Sequence, residues 1–437
     1  MSDRAIVCGA LRVGVFVLVA KAMVALRDVT IAWQFGAGAE ADAFNVALAI
    51  STWLPLFLAG AIGSALVPAL MKARNQTDPT DTHVFLDELT GHAFALAAVV
   101  FLASLAIASL ASLSLQQDAS VGGAGGVMVL ILAFAPFAGL TTLFYFLANR
   151  LQALGSFSYS MFEGFPGLVV AIFVVTFGQR AGLPALITGV LVGGVLQVMI
   201  LRALLHRREA YHARPRLTRS SEHWKLLLAG IGIMAVGQAL LSLVTPIDQY
   251  FALQAGPGVP ATFGYATRIV GLATSVGTLV LGRALLPTFA EMAQNDPDAA
   301  LGTARRWTGF TLILGVFAVG LGWLVTESVV RLLLERGSFT PADTLTVTRF
   351  VQLGLLQLPF YFSGIVAVQW LVVSGRFTRV TIICLVTIVV KSVALFLMLP
   401  RFGANSLMLS TAAMYAAAWI FQAASLAGPR PRPATER

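Results

Sequence analysis

Long apolar runs recur along the chain, separated by short charged, glycine-rich or proline-containing breaks. An α-helix needs about 20 residues to cross the hydrocarbon core of a bilayer, and most of these runs are at least that long. The pattern predicts an all-α polytopic membrane protein with about twelve transmembrane helices. The predicted spans are residues 5–26, 43–70, 88–113, 124–148, 159–178, 183–204, 225–246, 262–290, 307–334, 344–374, 379–400 and 404–427.

The two halves of the chain repeat each other at an offset of 220 residues, as in 248 − 28 = 220 for the two aspartates. The matched pairs are Asp28 and Asp248, Gln34 and Gln254, Gly36 and Gly256, Gly38 and Gly258, Ala41 and Ala261, Leu151 and Leu371, Gly155 and Gly375, and Phe157 and Phe377. An offset of six helices keeps both halves in the same orientation, which is the parallel-repeat arrangement of many transporters.

This repeat predicts two parallel six-helix lobes around a central cavity. We expect an N-lobe at residues 1–205, a basic cytoplasmic linker at 206–224, a C-lobe at 225–427 and a cytoplasmic tail at 428–437. In parallel-repeat transporters the substrate site lies between the halves, near the middle of the membrane.

Composition and charge exclude a soluble enzyme. Hydrophobic residues make up 58% of the chain and charged residues only 11%, against about 45–50% and about 25% in soluble domains. The net charge of +9 is concentrated in connections on one side, which places both termini in the cytoplasm and predicts no nucleic acid partner. The two cysteines, Cys8 and Cys384, lie in apolar runs and predict neither a disulfide framework nor a metal site.

Eleven ionisable residues fall in or beside the predicted spans. They are Arg12, Lys21, Arg27, Asp28, Asp42, Glu163, Asp248, Arg268, Arg283, Arg349 and Lys391. Charges inside a membrane face a cavity or one another, unless they lie close enough to a helix end to extend to the headgroups. Lys21, Arg27, Arg268 and Arg283 would make the central cavity cationic. Because Arg binds phosphate in a bidentate manner, we expect these four residues to bind an anionic phosphate or diphosphate.

The acidic residues have separate predicted roles. We expect Asp28 and Asp42 to form gate ion pairs with Arg27 or Arg268, with an exposed loop carboxylate as the alternative for Asp42. Asp248 is a candidate ligand for a coupling ion, or else a polar partner of Gln249 or Gln254.

Several sequence blocks resemble the MurJ/MviN family of lipid II flippases, in the family's order and over nearly the whole chain. These blocks are Leu26 to Val29, Phe35 to Gly38, Ala41 to Phe44, Val192 to Gln197, Tyr265 to Arg268, Leu285 to Pro287, and Arg336 to Thr340 with Asp343 and Arg349. The resemblance implies the multidrug/oligosaccharidyl-lipid/polysaccharide exporter superfamily, two six-helix lobes and alternating access. It maps the family's essential basic residues onto Lys21, Arg27 and Arg268, and its helix-two aspartate onto Asp42.

Two departures from the family bear on the cargo. The family usually has an arginine pair and a glutamate midway along helix two, where Trp53 to Gly60 carries no charge. The family also commonly has fourteen helices, and this sequence predicts twelve. We therefore expect the cargo to be a modified or exopolysaccharide-type lipid-linked saccharide in preference to lipid II. The family resemblance keeps lipid II as the default assignment.

The sequence thus predicts a flippase of the bacterial inner membrane rather than an enzyme. Its expected partners are a polyprenyl-diphosphate-linked saccharide and membrane lipids, and we expect a monomer. No cofactor is expected, although membrane potential or a monovalent cation would be coupled to transport. Alternatives are a multidrug or cation antiporter of the same superfamily, a glycosyltransferase that uses Asp28, Glu40 or Asp42, and a non-transporting partner in polysaccharide assembly.

Overall fold

The structure, a computed structural model, describes residues 3–74, 79–115, 124–209, 211–374 and 376–427. These residues form fifteen α-helices and one short 3-10 helix, Gly403–Asn405, and the described chain contains no strand. The α-helices are α1 Asp3–Phe35, α2 Ala39–Arg74, α3 Pro79–Leu115, α4 Ala124–Ala153, α5 Tyr159–Phe162, α6 Phe165–Ala181, α7 Leu183–Arg208, α8 His223–Ser242, α9 Val244–Gln254, α10 Val259–Asn295, α11 Pro297–Leu334, α12 Pro341–Leu355, α13 Leu358–Val373, α14 Phe377–Phe402 and α15 Ser406–Ala427.

Each of the twelve predicted spans corresponds to one helix or to two consecutive helices. The divided spans are α5 with α6, α8 with α9, and α12 with α13. In each case a proline lies in the first turn of the second helix: Pro166, Pro246 or Pro359. Proline lacks a backbone N–H and fits the first turn, where that donor has no partner within the helix. These prolines therefore account for where the three spans are interrupted.

The helices have the length and apolarity of membrane spans. Eight stretches of the described chain meet both criteria, and α8 and α9 supply a ninth if they are taken as one span with a 43° bend. One of the eight, Thr378–Leu426, contains both α14 and α15. The protein is therefore a multi-pass, all-α membrane protein.

The sequence repeat is matched by a repeat in the fold. Helix α2 begins at Ala39 and α10 at Val259, which is 259 − 39 = 220 residues later. Glycines with positive φ fall at equivalent turns: Gly36 (57°) matches Gly256 (121°) after 220 residues, and Gly182 (53°) matches Gly403 (53°) after 221. Because side chains disfavour this backbone region, glycine is the residue suited to each of these turns.

The chain divides into two compact units. Unit 1 comprises Met1–Gln249 and Arg336–Phe339, and unit 2 comprises Tyr250–Glu335 and Thr340–Arg437. Within unit 1 the most extensive packing joins α2 to α4 and α6 to α7, and within unit 2 it joins α11 to α13 and α14 to α15.

Helix α8 packs against α2 and so lies in unit 1, although its sequence opens the predicted C-lobe. Small residues bring the two helices together, because Gly60 lies against Gln238 and Gly230 lies against Ala65. A buried cluster that includes Leu66, Phe85 and Trp224 continues this contact at the beginning of α8. The boundary between the compact units therefore falls within α9.

Candidate functional site

Helix α1 carries a buried ion pair. The Arg27 Nη2 and Nε atoms lie 2.9 and 3.0 Å from Oδ1 of Asp28, and both side chains are buried. The Arg27 guanidinium also lies 5.7 Å from the centre of the Phe44 ring on α2. A cation over an aromatic face is stabilised by the electron density of the ring. Both predicted site residues are thus held in place, and their roles in binding and gating stay predictions.

Lys21 is exposed and lies two turns before Asp28 on α1. Seven residues bring a helix almost back to the same face, so these two side chains share one side of α1. The apolar residues Val15, Leu18, Leu26 and Trp33 are also exposed on α1, and they lie roughly 60° to 140° around the helix from Lys21. Lys21 therefore lies beside the exposed apolar stripe of α1.

The other predicted site residues are distributed over three helices. Asp42 is buried in the first turn of α2, where a carboxylate interacts favourably with the helix dipole. Asp248 is buried on α9. On α10, Arg268 is half-buried, and the side chain of Arg283 lies outside the described part of the structure. The predicted pairing of Asp42 with Arg268 stays a prediction.

Two of the family-like sequence blocks meet within unit 1. The Ser338 amide donates to the Trp33 carbonyl at 2.9 Å, and its hydroxyl donates to the Gln34 carbonyl at 3.1 Å. Gly36 and Gly337 have φ of 57° and 58°, and a Cβ on either would collide with the opposite backbone. We call this contact the Trp33–Ser338 clasp, and glycine is required on both of its sides.

Sequence reasoning missed a polar network at the first turns of α3. Residues 211–222, here called the strap, run along α3 and are bound by two consecutive carboxylates, Asp87 and Glu88. Glu88 is fully buried and accepts four hydrogen bonds. The donors are the Ser220 and Ser221 amides at 2.6 and 3.3 Å, the Thr218 hydroxyl at 2.7 Å and the Trp224 indole at 2.7 Å.

Asp87 binds the other end of the strap. Its side chain accepts from the Arg214 amide at 2.7 Å and the Tyr211 hydroxyl at 2.9 Å, and its carbonyl accepts from the Arg216 amide at 3.1 Å. Burial, and then the bond to Asp87, raises the pKa of the Tyr211 hydroxyl. The strap passes so close to Gly91 that a Cβ there would collide with the backbone of Arg216. The predicted basic linker is therefore bound along its length.

A second ionic cluster lies beside the strap. Glu209, at the end of α7, accepts from both Arg74 and Arg150. Arg150 is almost fully buried and also donates to Thr90 at 2.9 Å. The one sequence signal for this network was the pair of acidic residues, Asp87 and Glu88, at the edge of a predicted span. No group of three or more His, Cys, Asp or Glu residues in the described chain has an arrangement that would hold a metal ion.

A model of the lipid II flippase MurJ family matches residues 31–427. The chain belongs to this family. It is 26% identical over 367 residues to the probable lipid II flippase MurJ of Bdellovibrio bacteriovorus, which covers 77% of this chain and 68% of that protein. It is 29% identical over 305 residues to the lipid II flippase MurJ of Burkholderia cenocepacia, which covers 66% and 58%.

The Rhizobium meliloti relative, also a probable lipid II flippase MurJ, is 26% identical over 355 residues, with 77% of this chain and 64% of that protein covered. The chain thus spans between 58% and 68% of the length of these three MurJ relatives.

Solved structures show that the fold is shared beyond MurJ. A lipid II flippase MurJ in an inward closed conformation superposes with a TM-score of 0.77 at 16% identity, over 96% of this chain and 88% of that one. An inward-facing multidrug resistance MATE transporter of the MOP superfamily gives 0.74 at 15% identity, over 93% and 94%. The predicted all-α, two-lobe fold is therefore confirmed.

The uncharged segment of α2, which departs from the MurJ pattern, borders an apolar cavity in unit 1. The cavity has a volume of about 290 Å³ and lies among α2, α3, α4 and α8. Pro55 and Leu58 of α2, His92 of α3 and Arg219 of the strap are among the residues that line it. Arg219 Nε donates to His92 Nε2 at 3.1 Å. This wall of α2 thus has the character of a hydrocarbon-binding surface.

Proposed function

We propose that this protein is a flippase that moves a polyprenyl-diphosphate-linked saccharide from the inner to the outer leaflet by alternating access. The observation that carries the proposal is the MurJ family match over residues 31–427. The shared fold is compatible with this activity but does not choose among the transporters that have it, because fold alone does not define function.

The charges of α1 support an anionic cargo. Arg27 directs two N–H groups at Asp28, and a guanidinium has five such donors. A diphosphate that competes with Asp28 for Arg27 would replace one charge-assisted interaction with another. Lys21, on the same face as Asp28, would add a second positive charge. In this proposal the Arg27–Asp28 pair holds the guanidinium ready until the cargo binds.

The uncharged segment of helix α2 indicates which type of headgroup the cargo has. Its segment from Trp53 to Gly60 has no charge and contributes Pro55 and Leu58 to an apolar cavity. A headgroup with fewer ionic contacts on this wall would suit it better than one that requires arginines there. We infer a lipid-linked exopolysaccharide-type or modified saccharide, with lipid II as the reference cargo.

We propose that both termini are cytoplasmic and that the protein acts as a monomer. We also propose that the Trp33–Ser338 clasp closes the outer end.

The membrane potential sets the direction of transport in this proposal. With the outside positive, an anionic headgroup is drawn outward by about 2.3 kcal/mol per charge per 100 mV.

The test is transport by purified protein in liposomes that contain fluorescent lipid II or a polyprenyl-diphosphate oligosaccharide. We expect headgroups to reach the outer leaflet faster than in empty liposomes, and Arg27→Ala to lose most of this activity. The matched control, Arg180→Ala, removes an exposed arginine from the end of α6 and should transport normally.

Two results would contradict the proposal. One is transport of organic cations with no movement of either lipid, which would indicate the antiporter. The other is transfer of sugar between lipids by the purified protein, which would indicate a glycosyltransferase. Complementation of a strain depleted of its lipid II flippase would then assign the cargo, because rescue requires lipid II itself.

A further inference from the structure

A crevice in unit 1 combines an apolar wall with basic side chains. It has a volume of about 200 Å³ and lies among α3, α4, α7 and the strap. The apolar residues that line it include Phe94, Leu147 and Val198, and the basic ones are Arg150, Arg202, His206 and His212. We call it the strap crevice, and the transport of a headgroup described above makes no use of it.

The exposed face of α7 changes from apolar to basic along the helix. Steps of three and four residues place Val192, Val195, Met199, Arg202 and His206 on one side of α7, and all five are exposed. From Val192 to Arg202 the helix rises about 15 Å, which is half of the roughly 30 Å hydrocarbon core of a bilayer. The apolar part of this face therefore has the length of the lipid chains of one leaflet, and Arg202 lies where a headgroup would follow.

Arg202 and two histidines provide hydrogen-bond donors at the basic part of the crevice. Arg202 has no hydrogen-bond or ion-pair partner among the described residues. His206 on α7 and His212 on the strap stack with their ring centres 3.8 Å apart. A histidine ring has an N–H in either tautomer, so each ring is able to donate one hydrogen bond. A phosphate at this point would accept from both α7 and the strap.

Glu209 is the one carboxylate among the described residues that line the strap crevice. Its oxygens accept from Arg74 and Arg150, so two cations oppose one anion. With Arg202, the formal charge of these four side chains is 3 − 1 = +2. The Arg150 Nε atom is buried and has no hydrogen-bond partner in the described structure. The crevice therefore favours an anion over a zwitterion.

We propose that the strap crevice binds one anionic phospholipid. Its phosphate is held by Arg202, His206 and His212, and one acyl chain lies against the apolar wall. Phe94 on that wall is 47% exposed within a membrane-spanning stretch, so the chain reaches the crevice from the bilayer. Basic pockets between membrane helices on the cytoplasmic side bind anionic headgroups in this way. The inference does not depend on which cargo is transported.

The test measures lipid binding to the purified full-length protein in an uncharged detergent. Dioleoyl phosphatidylglycerol and dioleoyl phosphatidylcholine have the same chains and differ in headgroup charge. Native mass spectrometry should show one phosphatidylglycerol retained at a concentration at which phosphatidylcholine is lost. Phosphatidylglycerol alone should raise the Tm, by at least about 2 °C. Glycerol 3-phosphate has the phosphate without the chains, and it should leave the Tm unchanged at the same concentration.

Variants of α7 locate the bound lipid. Arg202→Ala removes a charge-assisted hydrogen bond to the phosphate and should weaken phosphatidylglycerol binding at least about tenfold. His206→Ala should weaken it by a smaller factor. The matched control is Arg207→Ala, because Arg207 is exposed on the same helix, lies roughly 140° around it from Arg202 and does not line the crevice. This control removes the same charge and should bind the lipid as the unaltered protein does.

Four results would overturn the proposal. The first is equal retention of phosphatidylglycerol and phosphatidylcholine. The second is equal weakening in Arg202→Ala and Arg207→Ala, which would indicate only a general attraction of the lipid to a basic protein. The third is a rise in Tm with glycerol 3-phosphate that equals the rise with phosphatidylglycerol, which would indicate a site for a soluble phosphate. The fourth is binding of undecaprenyl diphosphate that depends on Arg202 while phosphatidylglycerol does not bind, which would indicate a cargo site.

The measurements separate this inference from the proposed function. None of them requires transport, so they decide whether the strap crevice binds a phospholipid even if neither lipid-linked saccharide is moved. If Arg202→Ala does not fold, the lipid titrations of the unaltered protein and of His206→Ala decide it.

Discussion

Replacing Glu88 with glutamine should release the strap from α3. Glu88 Oε1 accepts from the Ser220 amide at 2.6 Å and the Thr218 hydroxyl at 2.7 Å. Its Oε2 accepts from the Trp224 indole at 2.7 Å and the Ser221 amide at 3.3 Å. In glutamine one of these oxygens becomes an NH₂ group, which would face N–H donors instead of accepting from them. Hydrogen bonds to a charged group contribute about 1.5–3 kcal/mol each, so the loss of two should weaken strap binding by about 3–6 kcal/mol.

The assay is limited proteolysis with trypsin, followed by mass spectrometry of the fragments. The strap contains Arg216 and Arg219 as trypsin cleavage sites. Trypsin can bind the backbone at these sites only when the strap is released from α3. If cleavage follows local opening, a weakening of 3 kcal/mol raises its rate by about 100-fold. The matched control is Glu222→Gln, because Glu222 is exposed at the start of α8 and makes no capping hydrogen bond there.

The reasoning predicts rapid strap cleavage in Glu88→Gln and ordinary resistance in Glu222→Gln. A Glu88→Gln protein cleaved within about twofold of the unaltered rate would refute the assignment of Glu88 as the principal strap ligand. Equal sensitivity of both variants would mean that general loss of a negative charge, and not the four hydrogen bonds, controls the strap. Circular dichroism of both variants would establish that the membrane helices remain folded.

Three further results are expected. Gly36→Ala should lower the Tm more than Gly182→Ala does. Both glycines have positive φ, but a Cβ collides with Ser338 only at position 36, and this overlap should cost about 1–3 kcal/mol more. Equal losses of Tm would contradict the clasp. Arg27→Lys should keep the fold yet reduce liposome transport about tenfold, since lysine retains the charge without the guanidinium fork; an unchanged rate would show that charge suffices. Transport should rise with an outside-positive potential set by potassium and valinomycin, and a flat response would contradict an anionic cargo.

The sequence predicted the helices because these depend on local properties, and apolar runs of membrane length are visible without tertiary information. It did not predict the interruptions near Pro166, Pro246 and Pro359, where each span was expected to be continuous. The 220-residue offset predicted the paired turns at Gly36 and Gly256. Such features need only the covalent chain and the bilayer as solvent.

The strap could not be predicted in the same way. Its strongest contacts run from backbone amides of Arg214 and Ser220 to the two carboxylates, and every residue except proline has such an amide. The sequence therefore showed a run of basic residues and predicted only a basic cytoplasmic linker. The packing of α8 in unit 1 was hidden for a similar reason, because it depends on close approach at Gly60 and Gly230.

Arg27 is the buried cation of α1 on which the proposed transport depends. Arg27 is paired with Asp28, and in the proposed mechanism a cargo phosphate exchanges with that carboxylate at little electrostatic cost. Cargo binding of this kind, as proposed, requires no cation from solution. The net charge moved in each cycle is then the charge of the cargo, and a diphosphate with two negative charges would gain about 4.6 kcal/mol per 100 mV. The membrane potential alone would thus concentrate the cargo in the outer leaflet by about three powers of ten.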